Sequence, residues 1–260
     1  MKVLLLGATG MLGSKVYSVL HDKYEVIATT RKEFDAEKVC SSFSYFNDFV
    51  KSVGNVDYVI NAIGITIPNS MKNPAMTFFI NASLPHILAR EYGKKLIHIT
   101  TDCVYSGSDD NAPYTELARH APRDIYGLSK SLGEPEECLV IRTSIVGIGG
   151  DKTGLLEWFL QQTGIVKGYI DHFWNGITTH QFGLVCDRIM SSSQSWCGIH
   201  HVFSNSVSKY DMLLAFKKKF DVRCNIIPTS GNPLDRRLAT IRELNNWLNI
   251  PTFSEMIETI

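Results

Sequence analysis

Apolar runs of strand length alternate with segments of helical period through residues 1–145: "KVLLLG", a helix from Met11, "YEVIATT", a helix near Phe46, "VDYVINAIG", a helix from Ala75, "KLIHITT" and "CLVIRTS". Runs that are apolar throughout, rather than alternating, belong to strands covered on both faces, and their regular exchange with helices predicts repeated βαβ units. The expected fold is therefore α/β, a Rossmann-type doubly wound parallel sheet. After Thr143 the pattern loosens into a helix around "GLLEWFLQQ", a loop "GYIDHFWNGITT", a helix "QFGLVCDRIM", a strand "GIHHVFS" and a helix "KYDMLLAFKKKF". A segment rich in Arg, Asn and Pro closes the chain. We expect residues 1–145, joined by a helix and strand from 180–203, to form the sheet domain. Residues 146–179 and 204–260 form a smaller C-terminal α/β lobe, with no repeat or low-complexity linker between them.

Composition narrows the function by exclusion. Lys plus Arg and Asp plus Glu both number 26 in 260 residues, so no global field draws the chain to nucleic acid or to anionic lipid. The apolar run Val3 to Leu6 is far too short for a membrane span or signal segment. Six cysteines without a close Cys-x-x-Cys pair argue against a zinc ribbon or a disulfide framework, and a cytoplasmic setting is expected.

Chemistry enters with "VLLLGATGMLG". Gly7, Gly10 and Gly13 stand directly after the first strand and at the opening of a helix. Such a turn lets backbone approach a pyrophosphate, whose charge then sits on the helix N-terminus. The second strand ends in Thr30 and Arg31, where an NAD site usually carries a carboxylate for the ribose hydroxyl and an NADP site an arginine for the 2′-phosphate. NADPH is the expected cofactor, with NADH the alternative. Farther on, "DIYGLSKSLGE" sets Tyr126 and Lys130 four positions apart, on one face of a helix. An ammonium beside a phenol favours the phenolate, which suits proton transfer near neutral pH.

Four pieces stand in order: "GATGMLG" at 7–13, "NAIG" at 61–64, "TTDCVYSG" at 100–107 and Tyr126-Gly-Leu-Ser-Lys130. Together they resemble the extended short-chain dehydrogenase/reductase family. With "IRTSIVG" and "WNGITT" they are most similar to its branch of dTDP-4-dehydrorhamnose reductase and related nucleotide-sugar 4-keto reductases.

The resemblance implies that Tyr126 hands a proton to the carbonyl oxygen, that Lys130 lowers the phenol pKa and binds the nicotinamide ribose, and that the Thr101 hydroxyl bonds the substrate oxygen. It implies a cofactor lined by Gly7, Thr9, Gly10, Met11, Leu12, Gly13, Thr30, Arg31, Ala62, Ile63, Gly64, Thr100 and Thr143, besides Tyr126 and Lys130. A nucleotide-sugar substrate would meet Thr66, Thr101, Asp102, Ile145, Asn175, Thr178 and Thr179, with Arg236 and Arg237 as a clamp on its diphosphate. Some relatives bind magnesium through a glutamate where Lys15 stands here, so no metal is expected; a homodimer is the assembly considered.

Three rivals share the motifs. A 4,6-dehydratase carries Asp-Glu after the catalytic Thr, whereas Asp102 is followed by Cys103, which favours simple reduction. An epimerase runs the same hydride chemistry twice. A non-catalytic NADP-binding regulator, like the regulatory subunit of methionine adenosyltransferase, resembles the same branch; the joint presence of Thr101, Tyr126 and Lys130 favours an enzyme.

Overall fold

The computed structural model describes residues 1–108, 111–149 and 154–260. Its centre is a sheet in which β1 (Lys2–Leu6), β2 (Glu25–Thr29), β3 (Tyr58–Asn61), β4 (Leu96–Thr101), β5 (Leu139–Thr143) and the strand Gly198–His201 all run parallel. Their spatial order is β2-β1-β3-β4-β5 and then Gly198–His201.

The unbroken apolar runs are explained by two covered faces. Val3 and Leu5 of β1 pack on one side with Leu12, Val16 and Leu20 of helix α1 (Met11–Leu20) and with Phe182, Val185 and Ile189 of the helix Thr179–Ser191. Leu4 and Leu6 pack on the other side with Phe46, Phe49 and Val53 of the helix Phe43–Val53 and with Leu84, Leu88 and Ala89 of the helix Leu84–Tyr92. Each such buried side chain contributes on the order of 1.5–3 kcal/mol relative to exposure.

After β2 the chain crosses back over β1 to place β3 on its far side, so the winding direction reverses between β1 and β3. The carboxyl ends of these two strands splay there, and open α/β sheets bind ligands at that crevice.

The helix Thr179–Ser191 lies along α1, and Gly198–His201 pairs with β5 from Leu139 to Arg142. The lobe has its own core, with Leu156, Phe159, Trp174, Met212, Phe216 and Phe253. The stretch expected as a loop, "GYIDHFWNGITT", instead contributes to three small sheets. Gly164–Tyr169 runs parallel to Cys224–Thr229, His172–Trp174 lies between Val207–Ser208 and Leu234–Asp235, and Ile177–Thr178 pairs with Ile145–Val146. In the first of these strands only Val166 buries a side chain, and the next two are three and two residues long, so no alternating signal marks them. Among the described residues no helix is long and apolar enough to cross a membrane.

Candidate active site

The glycine loop is built by three different demands. Gly7 takes φ 82°, a conformation other residues adopt only under strain, and turns the chain out of β1. Gly10 is the N-cap of α1 and supplies no side chain to it, so the first-turn N–H groups face the crevice. Gly13 permits close packing: a Cβ there would lie 2.1 Å from the Gly7 carbonyl oxygen.

Above this turn opens a cleft of about 200 Å³, walled by Gly7, Thr9, Gly10, Thr30, Arg31, Ala62, Ile63 and Gly64, and also by Phe34, Asp35, Ala36, Glu37, Ile65 and Ile80. The first eight are expected from the sequence. The other six come from the turn and the start of the helix Ala36–Ser41 after β2, from the connection after β3 and, for Ile80, from the π-turn Phe79–Ser83, whose paths no motif marks. Leu12 is a correction: its side chain is core, and only its backbone is left to serve a cofactor. A dinucleotide suits this donor set of open amides and small residues, because Cβ atoms on Gly7 and Gly64 would press to 3.0 Å from Ile63 and 3.1 Å from Lys130 Nζ.

At the rim, Arg31 is mostly exposed and paired with Glu37 at 3.2 Å. Thr30 donates its N–H and its hydroxyl to Glu33 at 2.8 and 2.6 Å, and these bonds hold the Glu33 carboxyl below its usual range. Carboxylates are thus present near the position that the sequence leaves without one, but both are already engaged.

Thr101 ends β4, and the helix Ile125–Ser131 packs on the turn behind it; a Cβ on Gly127 would stand 2.3 Å from the Cys103 carbonyl oxygen. Asp124 caps that helix by accepting from Gly127 N at 2.7 Å. Tyr126 and Lys130 project from one face of it. Lys130 is buried, donates to the Ile99 carbonyl at 3.3 Å and borders Gly64 of the cleft wall.

The acidifying pull of Lys130 on the phenol is not what the structure displays. Burial raises the Tyr126 pKa above its ordinary value, Cys103, Asp102 and Asp124 push the same way, and the hydroxyl of Thr101 alone draws it down. The ammonium is perturbed as well. Burial lowers Lys130 to about 8, against an upward pull from Glu134. A protonated phenol is the form a proton donor requires.

Cys103 is pushed up to about 12, chiefly by burial and then by Asp102, so a neutral thiol stands where dehydration would call for a second carboxylate. Burial also raises Asp102, while Arg236 and Lys209 oppose it. Asp102 accepts from the Thr101 hydroxyl at 3.1 Å.

The lobe residues divide sharply. Arg236 lies across the turn that follows Thr101, donating Nε to the Tyr105 carbonyl at 3.0 Å and Nη1 to Cys103 Sγ at 3.4 Å. Arg237 turns away to Asp235, at 2.6 Å, and stacks over Phe173; the two do not form a joint clamp. Asn175 spends its carboxamide on Leu238, donating to its carbonyl at 2.8 Å and accepting from its N–H at 3.0 Å. Thr178 is buried as the N-cap of the helix Thr179–Ser191, and Thr179 is buried beside it. These three hold the lobe together rather than lining a ligand. Thr66 is exposed at the start of a short helix. Thr100 and Thr143 are buried at the strand ends, and Ile145 is half-buried in its small sheet.

Sequence reasoning missed Lys209, which starts the helix Lys209–Phe220 and acts on Asp102 and Cys103. It also missed Arg142. The signal for the latter was present: a charge inside a strand covered on both faces must be paired.

A doubly wound fold with this turn and this Thr-Tyr-Lys convergence defines a dinucleotide-dependent class of the short-chain type. The model of the RmlD substrate binding domain matches residues 1–237, and the chain belongs to that family. A dTDP-4-dehydrorhamnose reductase of Escherichia coli is 31% identical over 98% of this chain and 91% of its own length. The spore coat polysaccharide biosynthesis protein SpsK of Bacillus subtilis is 34% identical, over 57% of this chain and 55% of its own. A Mycobacterium tuberculosis dTDP-4-dehydrorhamnose reductase is matched over 51% of its length, so the alignment spans about half of these two. Among solved structures, dTDP-4-dehydrorhamnose reductase of Bacillus anthracis in complex with NADP superposes with a TM-score of 0.79 at 19% identity, covering 99% and 97% of the two chains. A Thermus thermophilus UDP-glucose 4-epimerase gives 0.69 at 18%, covering 99% and 96%; the shared fold thus serves more than one reaction.

Proposed function

We propose that the chain is an NADPH-dependent reductase of a nucleotide-linked 4-keto-6-deoxy sugar. The observation that carries the reading is that the Tyr126 phenol meets the Thr101 hydroxyl while Lys130, from the same helix, sets its Nζ against Gly64 of the cleft wall. The family and the reductases among its relatives support the same class, and Arg31 at the rim offers a cation for a 2′-phosphate.

Bound in that cleft, the cofactor would supply the hydride. The protein's part is to receive the charge that develops on the carbonyl oxygen. Tyr126 holds its proton at the phenol oxygen, kept there by burial, and transfers it to that oxygen, while Thr101 supplies a second hydroxyl donor. Donors fixed in place before the reaction stabilise an oxyanion without reorganising. Lys130 compensates the phenolate left behind and orients the ribose. Asp102, with Arg236 and Lys209 acting on it, adjoins Thr101 and would be available to the sugar.

The test is NADPH consumption with dTDP- and GDP-linked 4-keto-6-deoxy sugars, in parent and Tyr126→Phe proteins. Removing the proton donor should lower kcat by about 10²–10⁴-fold with little change in NADPH affinity. Equal turnover in the two proteins removes Tyr126 from the mechanism, and interconversion of sugars without net NADPH loss replaces the reductase by an epimerase.

A further inference from the structure

Three charged residues line the glycine-walled cleft, Arg31, Asp35 and Glu37, one cation against two carboxylates. A 2′-phosphate brought to this rim carries a charge of about −1.5 to −2 at neutral pH, so what each neighbouring group already holds decides how the phosphate is received. The donors at the end of β2 are occupied by the chain itself. Thr30 gives its N–H and its hydroxyl to one oxygen of Glu33, at 2.8 and 2.6 Å. The same hydroxyl accepts from Lys32 N at 3.1 Å, and Phe34 N closes the turn on the Thr30 carbonyl at 3.0 Å. Glu33 is therefore built into a helical turn, and releasing it would break several bonds together.

Arg31 is held differently. A single contact joins its Nη2 to Glu37 Oε1 at 3.2 Å, between side chains 77% and 45% exposed. An exposed pair of this kind is weak, and a phosphate offers the guanidinium a bidentate partner of higher charge. Glu37 is nonetheless placed by its surroundings. It stands in the first turn of the helix Ala36–Ser41, whose N-cap Asp35 accepts from Glu37 N at 3.1 Å. Asp35 N in turn donates to the Tyr45 hydroxyl at 2.8 Å. Lys38, the next cation along, lies over the Tyr45 ring at 5.8 Å and leaves the Glu37 carboxylate to Arg31. With Asp35 committed to the cap, Glu37 is the carboxylate of the cleft wall that can be displaced.

We propose that Glu37 is a specificity-determining residue whose carboxylate stands in for the cofactor's 2′-phosphate on Arg31, so that NADPH binds by displacing it and NADH leaves the pair intact. Discrimination between the two cofactors is then set by the Arg31–Glu37 pair, and it is smaller than Arg31 alone would give. Thr30, tied to Glu33, adds nothing to the phosphate. The inference rests on the dinucleotide part of the proposed function and is independent of the sugar.

The test is fluorescence titration of the sugar-free protein with NADPH and NADH, in the parent, Glu37→Gln, Arg31→Ala and the double variant. Adenosine 2′,5′-bisphosphate and 5′-AMP, which differ in the 2′-phosphate and lack nicotinamide, serve as competitors. All the substituted side chains are exposed, so the fold is not at issue. In Glu37→Gln the ratio of the NADPH to the NADH dissociation constant should fall about fivefold, the upper range for an exposed pair, and the bisphosphate should gain on 5′-AMP by the same factor. Arg31→Ala should raise the ratio by about tenfold or more, as a lost charged hydrogen bond requires. In that background Glu37→Gln should move it by less than about twofold, because the carboxylate has no guanidinium left to occupy. A ratio in Glu37→Gln within about twofold of the parent overturns the proposal. An equal gain in both backgrounds also overturns it, since Glu37 would then act as a repelling charge at a distance. Failure of the parent to bind either dinucleotide removes the cofactor reading and this proposal with it, whereas binding with unaltered discrimination removes this proposal alone.

Discussion

Replacing Asn81 with alanine probes how the cleft wall is held to the catalytic helix. Asn81 is fully buried in the π-turn Phe79–Ser83, between the helices Pro74–Phe78 and Leu84–Tyr92. The widening there has a local cause: Pro85 has no N–H to return to the Asn81 carbonyl four residues back. The side chain is aimed at the site and bonded three times. Its Oδ1 accepts from Ile65 N at 2.9 Å, and its Nδ2 donates to the Ile65 carbonyl at 2.9 Å and to Ser129 Oγ at 3.1 Å. One carboxamide thus ties the strand-to-helix connection that follows Gly64 to the helix carrying Tyr126 and Lys130.

At about 1 kcal/mol net per bond, three bonds amount to about 3 kcal/mol, and stranding the polar atoms of Ile65 adds to the loss rather than reducing it. Equilibrium urea unfolding followed by far-UV circular dichroism reads the change. With a slope of about 3 kcal/mol per M, suited to a chain of this size, the midpoint should fall by about 1 M. Asn81→Asp keeps the acceptor for Ile65 N and loses both donors, so it should lie between parent and alanine. NADPH affinity should weaken in the same order, since Ile65 walls the cleft. A loss below about 0.5 kcal/mol, the range of ordinary surface substitutions, refutes the reasoning.

Three further outcomes are expected. Gly13→Ala, whose Cβ would meet the Gly7 carbonyl at 2.1 Å, should push α1 from the loop, abolish measurable NADPH binding and cost about 1–3 kcal/mol of stability by overpacking; an unchanged Kd in a fluorescence titration contradicts this. Acidification should destabilise the protein through His201, which is held neutral, with its pKa lowered to about 4 by burial and then by Arg142. The unfolded chain binds that proton near pH 6.5, so the contribution is complete above this value and lost as pH falls toward about 4. The loss is about 2 kcal/mol at pH 5, and a urea midpoint flat between pH 7 and pH 5 rejects it. Arg236→Ala should raise KM for the nucleotide sugar tenfold or more, as expected for a lost charged hydrogen bond of about 1.5–3 kcal/mol, while Arg237→Ala stays within about twofold; steady-state kinetics that reverse this ranking defeat the site assignment.

What could be read from the chain is what short-range geometry demands. Gly7 needs a positive φ and Gly13 needs a missing Cβ, and both needs are met within one turn of sequence. Tyr126 and Lys130 share a face because a helix repeats every 3.6 residues. The parallel sheet follows from the apolar runs alone. Lys209, by contrast, looks like the polar start of an amphipathic helix, and its place beside Asp102 depends on how the lobe folds back over the sheet. Glu134 looks like a solvated residue beyond a helix end; only the burial of Arg142, itself hidden in "CLVIRTS", turns it inward.

The two adjacent arginines sharpen that distinction. As a pair they suggest a bidentate clamp, yet in extended backbone successive side chains leave on opposite sides, and Leu234–Asp235 is a strand whose direction carries on into both. Backbone bonds then set which arginine faces inward: Asp235 N donates to the Gly107 carbonyl at 2.8 Å, and Tyr114 N to the Arg237 carbonyl at 2.8 Å. These fix the segment along the loop that follows Thr101. Gly107 leaves the space that Arg236 Cγ occupies, since a Cβ there would stand 2.6 Å from it. Residue type could name both candidates, but the register of one short strand against one loop selects between them, and that register is carried by backbone atoms that every sequence possesses.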